Sequence, residues 1–232
     1  MIDLYLGGDL GLWVLENTSI NEIHQIFSSE KNIIEKSQNL DIPVFTQDPN
    51  LTEFTSSFNA FSIHYPKILK PHVISKYNKI YNLHPSFLPW GRGYYPIFWA
   101  LWENTPAGAT LHEINEGIDQ GNIIYQIRVN YNDSDTGDSL FLRVREAEKK
   151  IFLEYWEKII NGEELSSIPQ KYDGSYHNKK EFMKLKTNSN WEEMSTKDLI
   201  KLIRCFSFNG YSGLEILLDQ KRFEVRIQAL EI

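Results

Sequence analysis

The sequence predicts an α/β protein, a mostly parallel sheet with helices between its strands, followed by a small C-terminal helix and a β-hairpin. Three observations carry this expectation. Short apolar runs alternate with polar helical stretches through the first half, at the pitch that right-handed strand–helix–strand crossovers produce. Leu140, Val144, Ala147, Ile151, Tyr155 and Ile159 keep a three-and-four spacing, which is one apolar stripe on a long helix. The tail then changes to alternation of period two around Asp219-Gln220-Lys221.

In chain order, strands are expected at Ile2–Leu6, Glu22–Phe27, Val44–Phe45, Ala60–Ile63 and Ile80–His84. Helices are expected between them at Asp9–Glu16, Ser29–Asn39, Asn50–Ser57 and His72–Tyr77. Two more strands follow Gly108, at Ala109–His112 and Asn122–Val129. The long helix has Thr136 or Asp138 to cap its start and Asn161-Gly162 to end it. Ser166–Ser189 is polar with unevenly spaced aromatics and reads as an ordered loop. Thr196–Cys205 forms an amphipathic helix on Leu199, Ile200 and Ile203, and Leu214–Leu218 with Phe223–Ala229 makes the hairpin. Residues 1–190 are thus expected to be one domain, and 191–232 an appended element.

Composition narrows the class. The chain has 232 residues, with 24 Lys+Arg against 31 Asp+Glu and a net charge of −7. Phosphate binding needs a clustered basic face, so a nucleic-acid partner is not expected. No apolar run approaches the roughly 18–20 residues of a membrane span. Met1-Ile2-Asp3-Leu4-Tyr5-Leu6 has neither the basic flank nor the apolar length of a signal peptide, so a cytoplasmic protein is expected. The one cysteine, Cys205, makes no internal disulfide, and its apolar helix face predicts burial.

The most informative stretch runs from Tyr81 to Gln126. Asn82 and His84 stand two apart at the end of a strand and leave the same face, and Pro85 ends the ladder. Polar groups at the C-terminal end of a parallel strand lie where open α/β sheets place ligands. Gly91-Arg92-Gly93 follows, a loop with backbone able to approach a substrate and a guanidinium able to meet an anion. A lone Asn and His of this kind are usually satisfied strand-end residues.

Here, however, Asn82-Leu83-His84-Pro85-Ser86-Phe87-Leu88-Pro89, then Arg92-Gly93 and Gly117-Ile118-Asp119-Gln120-Gly121, resemble the folate-dependent formyltransferases. The resemblance is dense from about Ala60 to Gln126 and looser before it. Asn122 stands where many relatives have Asp. The resemblance implies a Rossmann-like formyltransferase core, and a catalytic trio of Asn82, His84 and Asp119. An amine would attack the formyl carbon of 10-formyltetrahydrofolate directly, with no covalent enzyme intermediate and no metal. Asn82 would donate to the developing oxyanion. His84 would act as general base, and Asp119 would orient and stabilise its imidazole.

The resemblance also places the co-substrate. Tyr65, Lys67, Ile68 and Leu69 look like the strand-end loop lining the folate pocket, and Glu113, Ile114, Asn115, Glu116 and Gly117 like the segment whose backbone receives the pterin. For Ile68 and Leu69, core packing is an equal reading. Leu88–Trp99 and Thr105–His112 more closely resemble the nucleotide-sugar members. These formylate an amino group of a dTDP-linked amino-dideoxy sugar, here most like dTDP-4-amino-4,6-dideoxyglucose, for O-antigen or other surface glycans. Gly8, Trp90, Arg92, Gly93 and Tyr94 are the substrate-side candidates, with Phe206, Phe208 and Tyr211 for the base. The hairpin is expected to build a homodimer. Alternatives are a glycinamide ribonucleotide or UDP-4-amino-sugar formyltransferase, and a catalytically silent folate- or nucleotide-binding module.

Other signals are weaker. Gly7-Gly8-Asp9 reads as a tight turn first and a substrate contact second, because Asp9 repels phosphate. His112-Glu113 begins like H-E-x-x-H, but position 116 is Glu, so zinc is not expected. His24, His72 and His177 show no partner pattern. Phe98 and Trp102, four apart, read as a buried helix face.

Overall fold

The computed structural model describes residues 1–171, 173–187 and 190–228. The chain runs β1 (Ile2–Leu6), α1 (Gly8–Glu16), β2 (Ile23–Phe27), α2 (Lys31–Asn39), β3 (Val44–Phe45), β4 (Asn59–Ile63), α3 (Pro71–Ile74) and β5 (Lys79–His84). It continues β6 (Arg92–Gly93), α4 (Pro96–Glu103), β7 (Ala107–Glu113), β8 (Ile123–Val129), α5 (Gly137–Ile160), β9 (Tyr176–His177) and α6 (Lys179–Thr187), then α7 (Thr196–Phe206), β10 (Leu214–Leu218) and β11 (Lys221–Val225). Seven strands form one sheet in the order β3-β2-β1-β4-β5-β7-β8. The five strands from β3 to β5 run parallel, and β7 returns antiparallel beside β5. The predicted mostly parallel sheet is therefore present. No described helix is long and apolar enough to cross a membrane.

The chain divides into two compact units. The first comprises Met1–His84, Ala109–Ile127 and Glu148–Lys171; the second comprises Pro85–Gly108, Arg128–Ala147 and Tyr172–Ile232. In the first, β1 and β4 are buried at every residue, as strands covered on both faces must be. An aromatic cluster lies against them: Tyr5 stacks on Phe27 at 4.5 Å, and Phe27 meets Phe45 and Phe54. The β1 carboxylate of Asp3 is fully buried among them. It accepts from Gln25 Nε2 at 2.8 Å, Tyr77 Oη at 2.7 Å and the Ser57 N–H at 3.3 Å, with His24 Nδ1 at 2.7 Å. A buried charge survives only with such partners. His24 thus has a partner that its sequence position did not suggest.

The second unit has a core of its own. Phe98, Phe182 and Phe206 meet with ring centroids 4.6–5.1 Å apart, surrounded by Ile97, Leu101, Leu140, Val144 and Leu202. Cys205 is buried there, and its thiol pKa is pushed up to about 12 by that burial. Trp102 is half-buried against the same cluster.

Four expectations are corrected. Asn50–Ser57 is not a helix, because local side-chain bonds compete with the helical ladder. The Asn50 N–H donates to Asp48 Oδ1, while its side chain ties Ile68 O and the Lys70 N–H. Ser166–Ser189 is not all loop: β9 and α6 lie within it, its Ser189 being outside the described residues. Asn178 Oδ1 accepts from the N–H groups of Lys180 and Glu181, and Glu181 reaches back to the Asn178 N–H, a reciprocal cap. On α7, Ile200 is 51% exposed, because 100° per residue carries it off the face made by Leu202, Cys205 and Phe206. The hairpin turn uses two residues, Asp219 and Gln220, both with positive φ, so the second strand starts at Lys221 and ends at Val225. Ala229 lies outside the described residues.

The ends of α5 behave as expected. The Ser139 N–H donates to Thr136 Oγ1 at 3.2 Å, and Gly162 (φ +70°) closes the helix.

Candidate functional site

Strand pairing assembles the first part of the site. Asn82 and His84 leave β5 on one face, and the antiparallel register sets Asn82 opposite His112 and His84 opposite Thr110. Asn82 Nδ2 donates to His112 Nε2 at 2.9 Å. His112 Nδ1 lies 2.8 Å from the Glu113 carbonyl, which only accepts, so Nδ1 carries the proton and Nε2 is the acceptor. Burial, first of all, lowers the His112 pKa to about 4, which keeps the ring neutral and this tautomer fixed.

Asp119 completes the cluster from the loop after β7. It has φ +51°, and its two carboxylate oxygens face two imidazoles: Oδ2 lies 3.7 Å from His84 Nε2 and Oδ1 lies 3.7 Å from His112 Nε2. The rings of His84 and His112 are perpendicular, with centroids 6.2 Å apart. The loop is tightly seated, since a Cβ on Gly121 would lie 1.7 Å from the Glu113 carbonyl oxygen. One carboxylate thus lies between His84 and the neutral His112, whose Nε2 takes its hydrogen bond from the Asn82 amide. Such an arrangement fits proton transfer beside a fixed hydrogen-bond donor.

All three residues of the predicted trio are brought together. His112 is the member the sequence reading missed. Its sequence neighbours suggest only an incomplete zinc motif, and its partner Asn82 is set by the register of β5 and β7. The strand assignment at Ala109–His112 was the available signal, but it carried no pairing.

The segment 113–117 is partly committed already. The Glu113 N–H donates to Asn122 O, the Ile114 N–H to Ile80 O, and the Gly117 N–H to Asn115 Oδ1. The Glu113 carboxylate pairs with Lys79 Nζ at 2.7 Å, which raises the Lys79 pKa. Of the strand-end loop, Tyr65 is half-buried against Tyr5, burial pushing its hydroxyl pKa up to about 12. Lys67 Nζ lies 3.6 Å from Asp48, Leu69 is buried in the aromatic cluster, and Ile68 is exposed at 57%. The paired readings of these two thus resolve towards core for Leu69 only. Gly7 caps α1 in extended backbone and Gly8 has φ +60°, so this stretch is the predicted turn.

In the second unit, residues 89–94 are laced to residues 173–177. The Arg92 N–H donates to Ser175 O and the Tyr94 N–H to His177 O, while Gly91 N–H reaches Ser175 Oγ and Ser175 N–H reaches Pro89 O. Arg92 Nη2 donates to Asp173 O, so the predicted anion-binding guanidinium is partly tethered. Gly93 is required here: φ is +88°, and a Cβ would lie 2.3 Å from His177 O. His177, expected to lack a partner, stacks on Trp99 at 3.7 Å with Glu103 Oε1 3.0 Å from Nε2. Trp90 is half-buried in this loop and Tyr94 is 40% exposed.

The base-stacking candidates separate. Phe206 is 1% exposed and wedged between Phe98 and Phe182, so neighbours occupy the faces a base would need, and that expectation is withdrawn. Phe208 is half-buried over Gly137, and Tyr211 is 61% exposed.

Comparison with known proteins agrees with this architecture. The pattern of the family described as Formyl transferase matches residues 22–155, more than half of the chain. A dTDP-4-amino-4,6-dideoxyglucose formyltransferase of Mycobacterium bovis is 30% identical over 105 residues, a stretch covering 45% of this chain and 44% of that one. The chain therefore matches less than half the length of that curated relative. The crystal structure of a 4-N formyltransferase from Francisella tularensis superposes with a TM-score of 0.86 at 20% identity, covering 100% of this chain and 98% of that one. A formyltransferase from Anoxybacillus kamchatkensis, solved with UDP-4,6-dideoxy-4-formamido-L-AltNAc and tetrahydrofolate, is 27% identical, with a TM-score of 0.62 over 85% of this chain and 96% of that one. With the family pattern lying across the strands and loops that carry Asn82, His84, His112 and Asp119, this chain belongs to the formyl transferase family.

Proposed function

We propose that the protein transfers a formyl group from 10-formyltetrahydrofolate to the amino group of a nucleotide-linked amino sugar, most specifically dTDP-4-amino-4,6-dideoxyglucose, in the cytoplasm and for a surface glycan such as O-antigen. The observation that carries the reading is the Asp119 carboxylate facing both His84 and His112, with the Asn82 amide bonded to His112. The relatives named above support the class of amine.

The folate supplies an electrophilic formyl carbon, and the remaining steps belong to this chain. Asn82 uses one N–H on His112 Nε2, which leaves its second N–H for the formyl oxygen as negative charge develops there. Because His112 is neutral with its proton on Nδ1, the Asn82 amide is held with nitrogen forward. His84 takes the proton from the attacking amine, Asp119 steadies the imidazolium that results, and that proton passes to the folate nitrogen as its bond to the formyl carbon breaks and tetrahydrofolate leaves.

For the co-substrate, Tyr65, Lys67, Ile68 and segment 113–117 are the proposed contacts. Among the latter, the backbone N–H groups of Asn115 and Glu116 are the better donors, since those of Glu113, Ile114 and Gly117 are used within the loop. Gly8, Trp90, Arg92, Gly93 and Tyr94 are assigned to the nucleotide sugar. Phe208 and Tyr211 are assigned to the base. The β10–β11 hairpin leaves Leu217 and Phe223 exposed at 57% and 46%, which supports a homodimer built on it.

The test is turnover with 10-formyltetrahydrofolate and a panel of amines: dTDP-4-amino-4,6-dideoxyglucose, its 3-amino isomer, a UDP-4-amino sugar and glycinamide ribonucleotide. Selective formylation of the first, seen by mass spectrometry, is expected. Selective formylation of another member would reassign the substrate, and silence with folate bound would favour a binding module.

A further inference from the structure

Asp119 has a left-handed backbone, with φ +51°, and its carboxylate is turned to two rings. A fastening for this segment comes from Gln170, fifty-one residues downstream. The Gln170 side-chain nitrogen donates to the Asp119 carbonyl at 2.8 Å and to the Gly121 carbonyl at 2.9 Å. Both hydrogens of one amide are thus spent on the two ends of residues 119–121. The segment that delivers Gln170 is itself pinned, because Ile168 and Ile123 exchange two backbone hydrogen bonds of 2.8 Å. Gln170 Oε1 is buried and has no hydrogen-bond partner among the described residues. Among the described residues the amide therefore acts through its two N–H groups alone.

We propose that Gln170 is a positioning residue for formyl transfer: by clamping the Asp119 and Gly121 carbonyls, it holds the Asp119 carboxylate towards His84 and His112. The proposal rests on the assignment of Asp119 and His84 to the chemistry. Gln170→Met keeps size and loses both donors without adding charge; Gln170→Glu turns the donor edge into a repelling acceptor.

The experiment measures kcat and KM for the amino sugar with Gln170→Met and Gln170→Glu, together with the unfolding midpoint and the NMR resonances of the His84 ring. Expected for Gln170→Met is a kcat at least tenfold lower, a KM within twofold of the parent and a retained folded state. The His84 ring resonances should also move, because the Asp119 carboxylate that faces Nε2 is released. Gln170→Glu should be at least as impaired; if it does not fold, Gln170→Met decides. A kcat within twofold with unmoved His84 resonances overturns the proposal, as does failure of both variants to fold, which would make Gln170 part of the framework only. Asp119→Asn is run alongside. Full activity in that variant would sink the assignment of the site itself, whereas an inactive Asp119→Asn beside a fully active Gln170→Met would sink the clamp alone. The His84 resonances need no substrate, so they separate the two even if the amine has been misassigned.

Discussion

The two units are built by different rules. In the first, consecutive strands pair with near neighbours in the chain, and the aromatic cluster under β1 is filled by residues that each strand supplies in turn. In the second, the three rings at the centre come from three remote places: Phe98 on α4, Phe182 on α6 and Phe206 on α7. The first unit carries the groups proposed for chemistry, on a ladder of β5 and β7. The second carries a loop whose shape depends on a segment about eighty residues later. The lesson is that local periodicity reports an element wherever it occurs, but reports packing only where sequence neighbours are also spatial neighbours.

This contrast can be broken or sharpened by experiment. The largest effect should be in the first unit: His84→Ala and Asp119→Ala are each expected to lower kcat by roughly 10² to 10⁴ while circular dichroism stays native. Near-parent turnover in His84→Ala would remove it as general base. Next comes the core of the second unit, where Phe206→Ala should cost about 3–5 kcal/mol in urea unfolding. A cost below about 1 kcal/mol would mean that the ring packs against a ligand site after all.

A smaller effect is pH-dependent and belongs to the first unit. The His112 pKa is about 4 in the fold against 6.5 for the ordinary side chain, so between those values the unfolded chain binds the extra proton. Its contribution should be flat above about pH 6.5 and should decline as pH falls towards 4, by on the order of 3 kcal/mol at most. His112→Gln should flatten that slope; an unchanged slope would place the titration elsewhere. The smallest effect is expected on the exposed side of α7. Ile200→Ala should change stability by less than about 0.5 kcal/mol, in contrast with Phe206 six residues on.

What was legible followed from the same distinction. The parallel strands of the first half, the long helix α5 and the nearness of Asn82, His84 and Asp119 are legible, because each rests on a local pattern or a dense motif. The Asn50–Ser57 segment misled because its apolar spacing competes with Asp48 and Asn50, whose side chains capture the backbone. Helix α6 was hidden by its polar composition, although Asn178 and Glu181 spell a capping box. His112 and Gln170 act through partners fixed by strand register and by a return of the chain, which no single window of sequence contains. His24 escaped notice for a related reason, since its partner Asp3 lies on the neighbouring parallel strand.

The lacing of residues 89–94 to 173–177 bears on the order of assembly. Strands β1 to β5 pair within the first 84 residues and can do so once those are made, whereas the Arg92–Gly93 turn gains its hydrogen bonds only when Ser175 and His177 have been made. Closing so long a loop is entropically costly and comes late. In a nascent or freshly diluted chain the sheet should therefore mature ahead of this loop, with slow appearance of the Trp99 environment stacked by His177 as its optical marker.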